Sequence, residues 1–147
     1  MPPGHAAAIE DLRMSTTAPT PRTPGAIRAG AGEFVFDLAK ANHILGGPDY
    51  STANGSCIEG DRMIVALMRM PAGTGAEAHS HPNEQWIYVL QGTFRGKLEG
   101  RDIEVKPGSV LYVPANAVHS GGATPEGDVV FFTVKDASHS LHGIKAT

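Results

Sequence analysis

From residue 33 onward the chain alternates apolar and polar positions in short runs, not in helical periods. The runs are Glu33 to Leu38, Arg62 to Met70, Gln85 to Leu90, Thr93 to Leu98, Asp102 to Val105, Ser109 to Val113 and Asp128 to Lys135. A period of two is the signature of a strand with one buried face. Between the runs lie turn signals: Pro71-Ala72-Gly73, Glu99-Gly100-Arg101, Lys106-Pro107-Gly108 and Pro125-Glu126-Gly127. Strands of about six residues separated by Gly/Pro turns predict an all-β sandwich or barrel. Only Leu38 to Leu45 reads as briefly helical, and Gly46-Gly47-Pro48 ends it.

Composition changes near residue 30. The preceding residues are rich in Ala, Pro, Thr and Gly, with no periodicity able to bury a face. We therefore expect a flexible N-terminal arm over residues 1–32 and a single β-domain over 33–147. A length of 147 residues with 41% hydrophobic content suits one ordinary globular core.

The net charge of −3, from 12 Lys plus Arg against 15 Asp plus Glu, supplies no basic field for nucleic acid or anionic lipid. Cys57 is the only cysteine, so there is neither an internal disulfide framework nor a cysteine-rich zinc module. The first residues show no basic and apolar leader pattern, and no run of about 18 apolar residues occurs. A cytoplasmic protein without nucleic-acid or membrane partners is the expectation.

Chemistry enters at His79-Ser80-His81. Imidazoles at i and i+2 of an extended segment share a face, with Cα atoms roughly 7 Å apart, and can converge on one cation. Gln85 follows at the same parity and Glu84 at the opposite one, provided that no bulge at Pro82-Asn83 interrupts the register. His119 answers from far downstream.

The full spacing is Gly73, five residues, His79, one, His81, three, Gln85, six, Gly92, then fifteen residues to Gly108, five to Pro114 and four to His119. It resembles the two signature motifs of the cupin superfamily, over roughly residues 60–125, with Gln85 where the family most often has glutamate. Asn116 stands in place of the glycine usual after Pro114, and Ala123 in place of a terminal asparagine. The resemblance implies a small jelly-roll β-barrel holding one divalent transition metal through His79, His81, Gln85 and His119. Imidazoles suit Zn, Fe, Ni, Cu and Mn, so the donors do not name the metal.

An amide in place of a carboxylate leaves the site formally at +2, which strengthens Lewis-acid character and attracts an anionic or enolisable ligand. It departs from the two-His, one-carboxylate arrangement common in non-haem iron oxygenases. The leading expectation is a metal-dependent enzyme acting on a small keto, hydroxy or enol substrate by isomerase, cyclase, lyase or hydrolytic chemistry. The alternatives are an Fe(II) dioxygenase of dicarbonyl or phenolic compounds and a non-catalytic sugar- or small-acid-binding protein.

Tyr112 and Glu77 are the candidate acid–base groups. Arg95 and Lys97 read as hairpin charges before they read as contacts to a substrate carboxylate. His5, His43, His139 and His142 read as non-functional. Met63, Met68 and Met70 read as core filling. By parity Ile87 and Val89 share the metal face, whereas Trp86 and Tyr88 point away from it. Together with Phe131-Phe132 they carry more bulk than one small barrel hides, which points to a homodimer.

Overall fold

The structure, a computed structural model, describes residues 19–147. The expectations for His5 and for the first part of the arm lie outside the described residues. Among the described residues there are twelve strands and no helix.

Seven strands form one sheet: β1 (Ile27–Arg28), β2 (Ile44–Leu45), β3 (Asn54–Glu59), β4 (Met63–Met70), β6 (Gln85–Gln91), β9 (Val110–Val113) and β11 (Val129–Asp136). The order is β1-β3-β4-β11-β6-β9, with β2 added alongside β3. The second sheet contains β5 (Gly75–Ser80), β7 (Phe94–Leu98), β8 (Arg101–Val105), β10 (His119–Ala123) and β12 (Ile144–Lys145), ordered β12-β5-β10-β7-β8. The chain crosses between sheets repeatedly, giving the jelly-roll barrel that the family resemblance implies.

Alternation governs the core. On β11, Val129, Phe131, Thr133 and Lys135 are buried while their neighbours are half-buried, and β4 buries Ile64, Ala66, Met68 and Met70. The strands pair antiparallel with Phe131 opposite Met68, so both inward rows meet in one layer.

Several expectations need correction. Glu33 to Leu38 is not a strand: Phe34 and Val35 are each 91% exposed, because no neighbouring strand takes up the segment's backbone hydrogen bonds. Leu38 to Leu45 is not helical. It makes a turn, with Lys40 N–H donating to the Asp37 carbonyl, and then enters β2. Met63 is exposed, unlike Met68 and Met70.

Part of the segment expected as an arm is docked on the barrel. Ile27–Arg28 pairs parallel with Ile58–Glu59, Thr23 is fully buried, and the Arg22 N–H donates to the buried Glu59 carboxylate at 2.9 and 3.1 Å. Thr23 Oγ1 accepts the Leu141 N–H at 2.7 Å, so the two ends of the described chain meet.

Two turn positions explain the motif's punctuation. Gly92 has φ +77°, and a Cβ there would lie 2.1 Å from the Asp128 carbonyl oxygen, so glycine is required. Asn116 has φ +66°, which is where a glycine is usual, and asparagine is among the few other residues that tolerate it.

Candidate metal centre

β5 and β10 pair antiparallel with His79 directly opposite His119. His81 lies just past the end of β5, where the chain leaves one sheet, and Gln85 begins β6 in the other. The alternation proposed for 79, 81 and 85 is therefore not that of one strand. The segment from Pro82 to Glu84 carries the chain across the barrel, and the side chains still converge because the crossing folds them inward. Asn83 pins that crossing: it is fully buried, and its Nδ2 donates to the backbone carbonyls of Asp136, Ser140 and His139 at 2.9, 3.1 and 3.3 Å.

His79, His81 and His119 are all buried, and one ring nitrogen from each lies within 4.8 Å of the others. Each Nδ1–H donates to a backbone carbonyl two residues away: His79 to Glu77 at 2.7 Å, His81 to Asn83 at 2.7 Å and His119 to Ala117 at 2.8 Å. These bonds fix the tautomer and leave the three Nε2 lone pairs for a cation. Burial lowers the His79 pKa to about 3, helped by His119, and the His81 pKa to about 4, helped by Lys135. The His119 pKa is lowered by burial too. The rings are neutral, as metal ligation requires.

Gln85 sharpens the fit. Its Nε2 donates to Thr133 Oγ1 at 2.8 Å, and Thr133 Oγ1 donates to the Trp86 carbonyl at 2.8 Å. That relay turns Gln85 Oε1 towards His81 Nε2 at 3.0 Å. With the His81 proton on Nδ1, two acceptors face each other across that gap, an arrangement that a cation between them stabilises. The donor set thus fits a divalent metal.

Tyr50 completes one wall. Its ring stacks on His79 with centroids 4.3 Å apart, and its hydroxyl accepts the Gly143 N–H at 2.6 Å. His79 and His119 open onto a cavity of about 60 Å³ walled by Met68, Met70, Phe94 and Phe131, and also lined by Gln85, Tyr50, Thr133 and Lys135. Among the described residues, no acidic residue lines it. Lys135 is 4% exposed, its ammonium donates to the Leu141 carbonyl, and burial lowers its pKa to about 7.

The structure does not bring the two candidate acid–base residues to this cavity. Tyr112 lies on the outer face of β9, its ring tilted against Trp86 with centroids 4.7 Å apart and its hydroxyl donating to Glu84 at 2.8 Å. Glu77 is exposed and pairs with Lys145 at 2.9 Å, because a register shift in the β5–β10 pairing breaks the alternation that leads back from His79.

Arg95 pairs with Glu104 and Lys97 with Asp102 across the β7–β8 hairpin. His43 contacts Asn54, and His142 contacts the Leu45 carbonyl; neither belongs to the three-histidine group. Ile87 and Val89 face inward as expected, while Trp86 and Tyr88 are 46% and 42% exposed. Cys57 is buried, with its thiol pushed up to about 12 chiefly by burial, so it packs as a small hydrophobe.

Sequence reasoning missed Tyr50, Thr133 and Lys135. The last two carried a signal, since they share parity with Val129 and Phe131 on a strand whose odd positions are apolar up to that point. Tyr50 lies in a turn that nothing local ties to His79.

Comparisons with known proteins agree with this architecture. Residues 66–135 match the family model described as the cupin domain. A polyketide cyclase from Streptomyces resistomycificus superposes with a TM-score of 0.63 at 21% identity, over 72% of this chain and 80% of that one. A cupin-like protein from Thermotoga maritima gives 0.58 at 24% identity, over 72% and 83%. Among curated proteins, quercetin 2,3-dioxygenase of Bacillus subtilis is 29% identical over 93 residues, which are 62% of this chain and 28% of that protein. The chain therefore spans well under half the length of that relative. No helix among the described residues is long and apolar enough to cross a membrane. The barrel has the cupin fold, and the segment that carries its histidines matches the cupin-domain model.

Proposed function

We propose that this protein is a metal-dependent enzyme of small, oxygen-rich keto, hydroxy or enol compounds. In this reading His79, His81 and His119 hold one divalent cation, with Gln85 Oε1 as a fourth donor. The observation that carries it is the neutrality of the donor set in a cavity that no acidic residue lines among the described residues. A cation bound there supplies Lewis-acid polarisation of vicinal oxygens, suited to isomerase, cyclase, lyase or hydrolytic chemistry.

The chain's own residues supply the rest. Thr133 orients Gln85, the three backbone carbonyls orient the imidazoles, and the apolar walls exclude water. Tyr50 is better placed than Tyr112 to hold or release a proton, because its hydroxyl belongs to the cavity wall. We further propose that the protein works as a homodimer in the cytoplasm.

Likeness to quercetin 2,3-dioxygenase supports a second reading, oxygen-dependent chemistry with Fe(II). The cavity argues against a flavonoid-sized substrate. A volume of about 60 Å³ holds on the order of four to six water-sized groups, the size of a small acid.

The test is a panel of small keto, hydroxy and enol compounds offered to protein loaded with Zn(II) or with Fe(II), read by product formation and by an oxygen electrode. Turnover without oxygen uptake is the expected result. Oxygen uptake that requires both Fe(II) and substrate would transfer the assignment to the dioxygenase class. Ligand binding without turnover by either form would make the protein a binding module.

A further inference from the structure

Lys135 is the one cation among the described residues lining the cavity, and the proposed metal chemistry does not use it. An ammonium carries three N–H donors. One of them donates to the Leu141 carbonyl, and among the described residues no carboxylate lies within ion-pair distance of Nζ.

The nearby carboxylates are committed elsewhere. Asp136 points out of the barrel and accepts the N–H groups of Glu84 and Ser138, while buried Glu59 accepts the Arg22 N–H with both oxygens. A buried cation without a counter-charge is costly, and this one stands against apolar walls. What that arrangement lacks is an anion, and the cavity has room for one.

We propose that Lys135 is the anion-binding residue of the cavity, and that its ligand is a small carboxylate, a 2-oxo or 2-hydroxy acid, seated between the ammonium and the imidazoles of His79 and His119. The inference rests on the reading of the cavity as a substrate site and narrows the substrate to acids. Lys135 and Gln85 are paired across β11 and β6, so the ammonium and the amide leave the barrel wall side by side. A carboxylate meeting Lys135 therefore keeps its adjacent oxygen on the side of the histidines. Among the described residues, no acidic side chain lines the cavity to compete for the lysine.

Oxamate and oxamide test this, since they differ by one carboxylate exchanged for a carboxamide. Both are titrated calorimetrically into the zinc-loaded protein and its variants, with zinc measured by elemental analysis. Oxamate is expected to bind more tightly than oxamide by about tenfold or more, the size of one charge-assisted hydrogen bond. Lys135→Gln and Lys135→Met are expected to retain zinc and to abolish that preference.

If Lys135 only tethers Leu141, then Lys135→Gln, which keeps a donor, leaves oxamate affinity unchanged, and the proposal is overturned. Lys135→Met keeps the apolar stem, so a folding defect confined to the Gln variant leaves the comparison intact. Protein that takes up no zinc yet binds oxamate in a Lys135-dependent manner refutes the metal reading while supporting this one.

Discussion

Thr133 acts on the candidate metal only through Gln85, and a single hydroxyl accounts for the orientation of that amide. Thr133→Val preserves shape and deletes the acceptor, so the amide becomes free to turn. Metal affinity, read by competition with a chromophoric chelator, is expected to fall by about 10–100-fold, the usual cost of losing an outer contact to a ligand. His81→Ala is expected to lose essentially all tightly bound metal, whereas Gln85→Glu retains it and changes activity through charge. Equal metal content in His81→Ala and the parent protein would refute the ligand assignment.

The buried imidazoles also set an acid limit. Their folded pKa values, about 3 for His79 and about 4 for His81, lie below the ordinary value of 6.5, so the unfolded chain binds more protons between those limits. Stability of the metal-free protein is therefore constant with respect to these groups above pH 6.5 and declines as pH falls through the window towards 3. Denaturant melts of metal-free protein across that range check the sign.

At the scale of elements, the crossing between β5 and β6 links the fold to the site. Asn83 holds this crossing against the end of β11 and the segment after it, and its own carbonyl holds His81. Asn83→Ala strands three buried or half-buried carbonyls and is expected to cost about 2–3 kcal/mol in denaturant unfolding, with weaker metal binding alongside. Gly92→Ala meets the Asp128 carbonyl at 2.1 Å, so the β6–β7 turn must shift. A cost above about 2 kcal/mol is expected.

The elements that were legible and those that were not differ in composition. β4, β6, β9 and β11 are rich in Val, Ile, Leu and aromatics, and their alternation announced them. β5 (Gly-Ala-Glu-Ala-His-Ser) and β10 (His-Ser-Gly-Gly-Ala) have weak strand propensity and are held by tertiary pairing, so only the histidine spacing pointed to them. Phe34 and Val35 misled for the opposite reason, carrying strand propensity without a partner strand.

For the whole molecule, the outer face of β6 and β9 exposes Trp86, Tyr88, Leu90, Val110 and Tyr112 together. A contiguous apolar patch rimmed by polar residues is the usual mark of an interface, and a second copy of this chain is the expected cover. Light scattering at micromolar concentration is expected to give twice the chain mass of 15.4 kDa, and Trp86→Lys to return it to one. A parent protein already at the single-chain mass would refute the dimer.

The contact between Thr23 Oγ1 and the Leu141 N–H joins residues 118 positions apart. The contact ties the two terminal segments to each other and not one barrel strand to another, so it is expected to open at a lower free energy than the barrel itself. The Leu141 amide is thus a natural reporter of sub-global motion. Its hydrogen exchange should be governed by release of the N-terminal segment and not by melting of the barrel, and Thr23→Ala should speed it while leaving the β4 and β11 amides slow. The Leu141 carbonyl accepts from Lys135, so one residue joins the N-terminal clasp to the cavity wall.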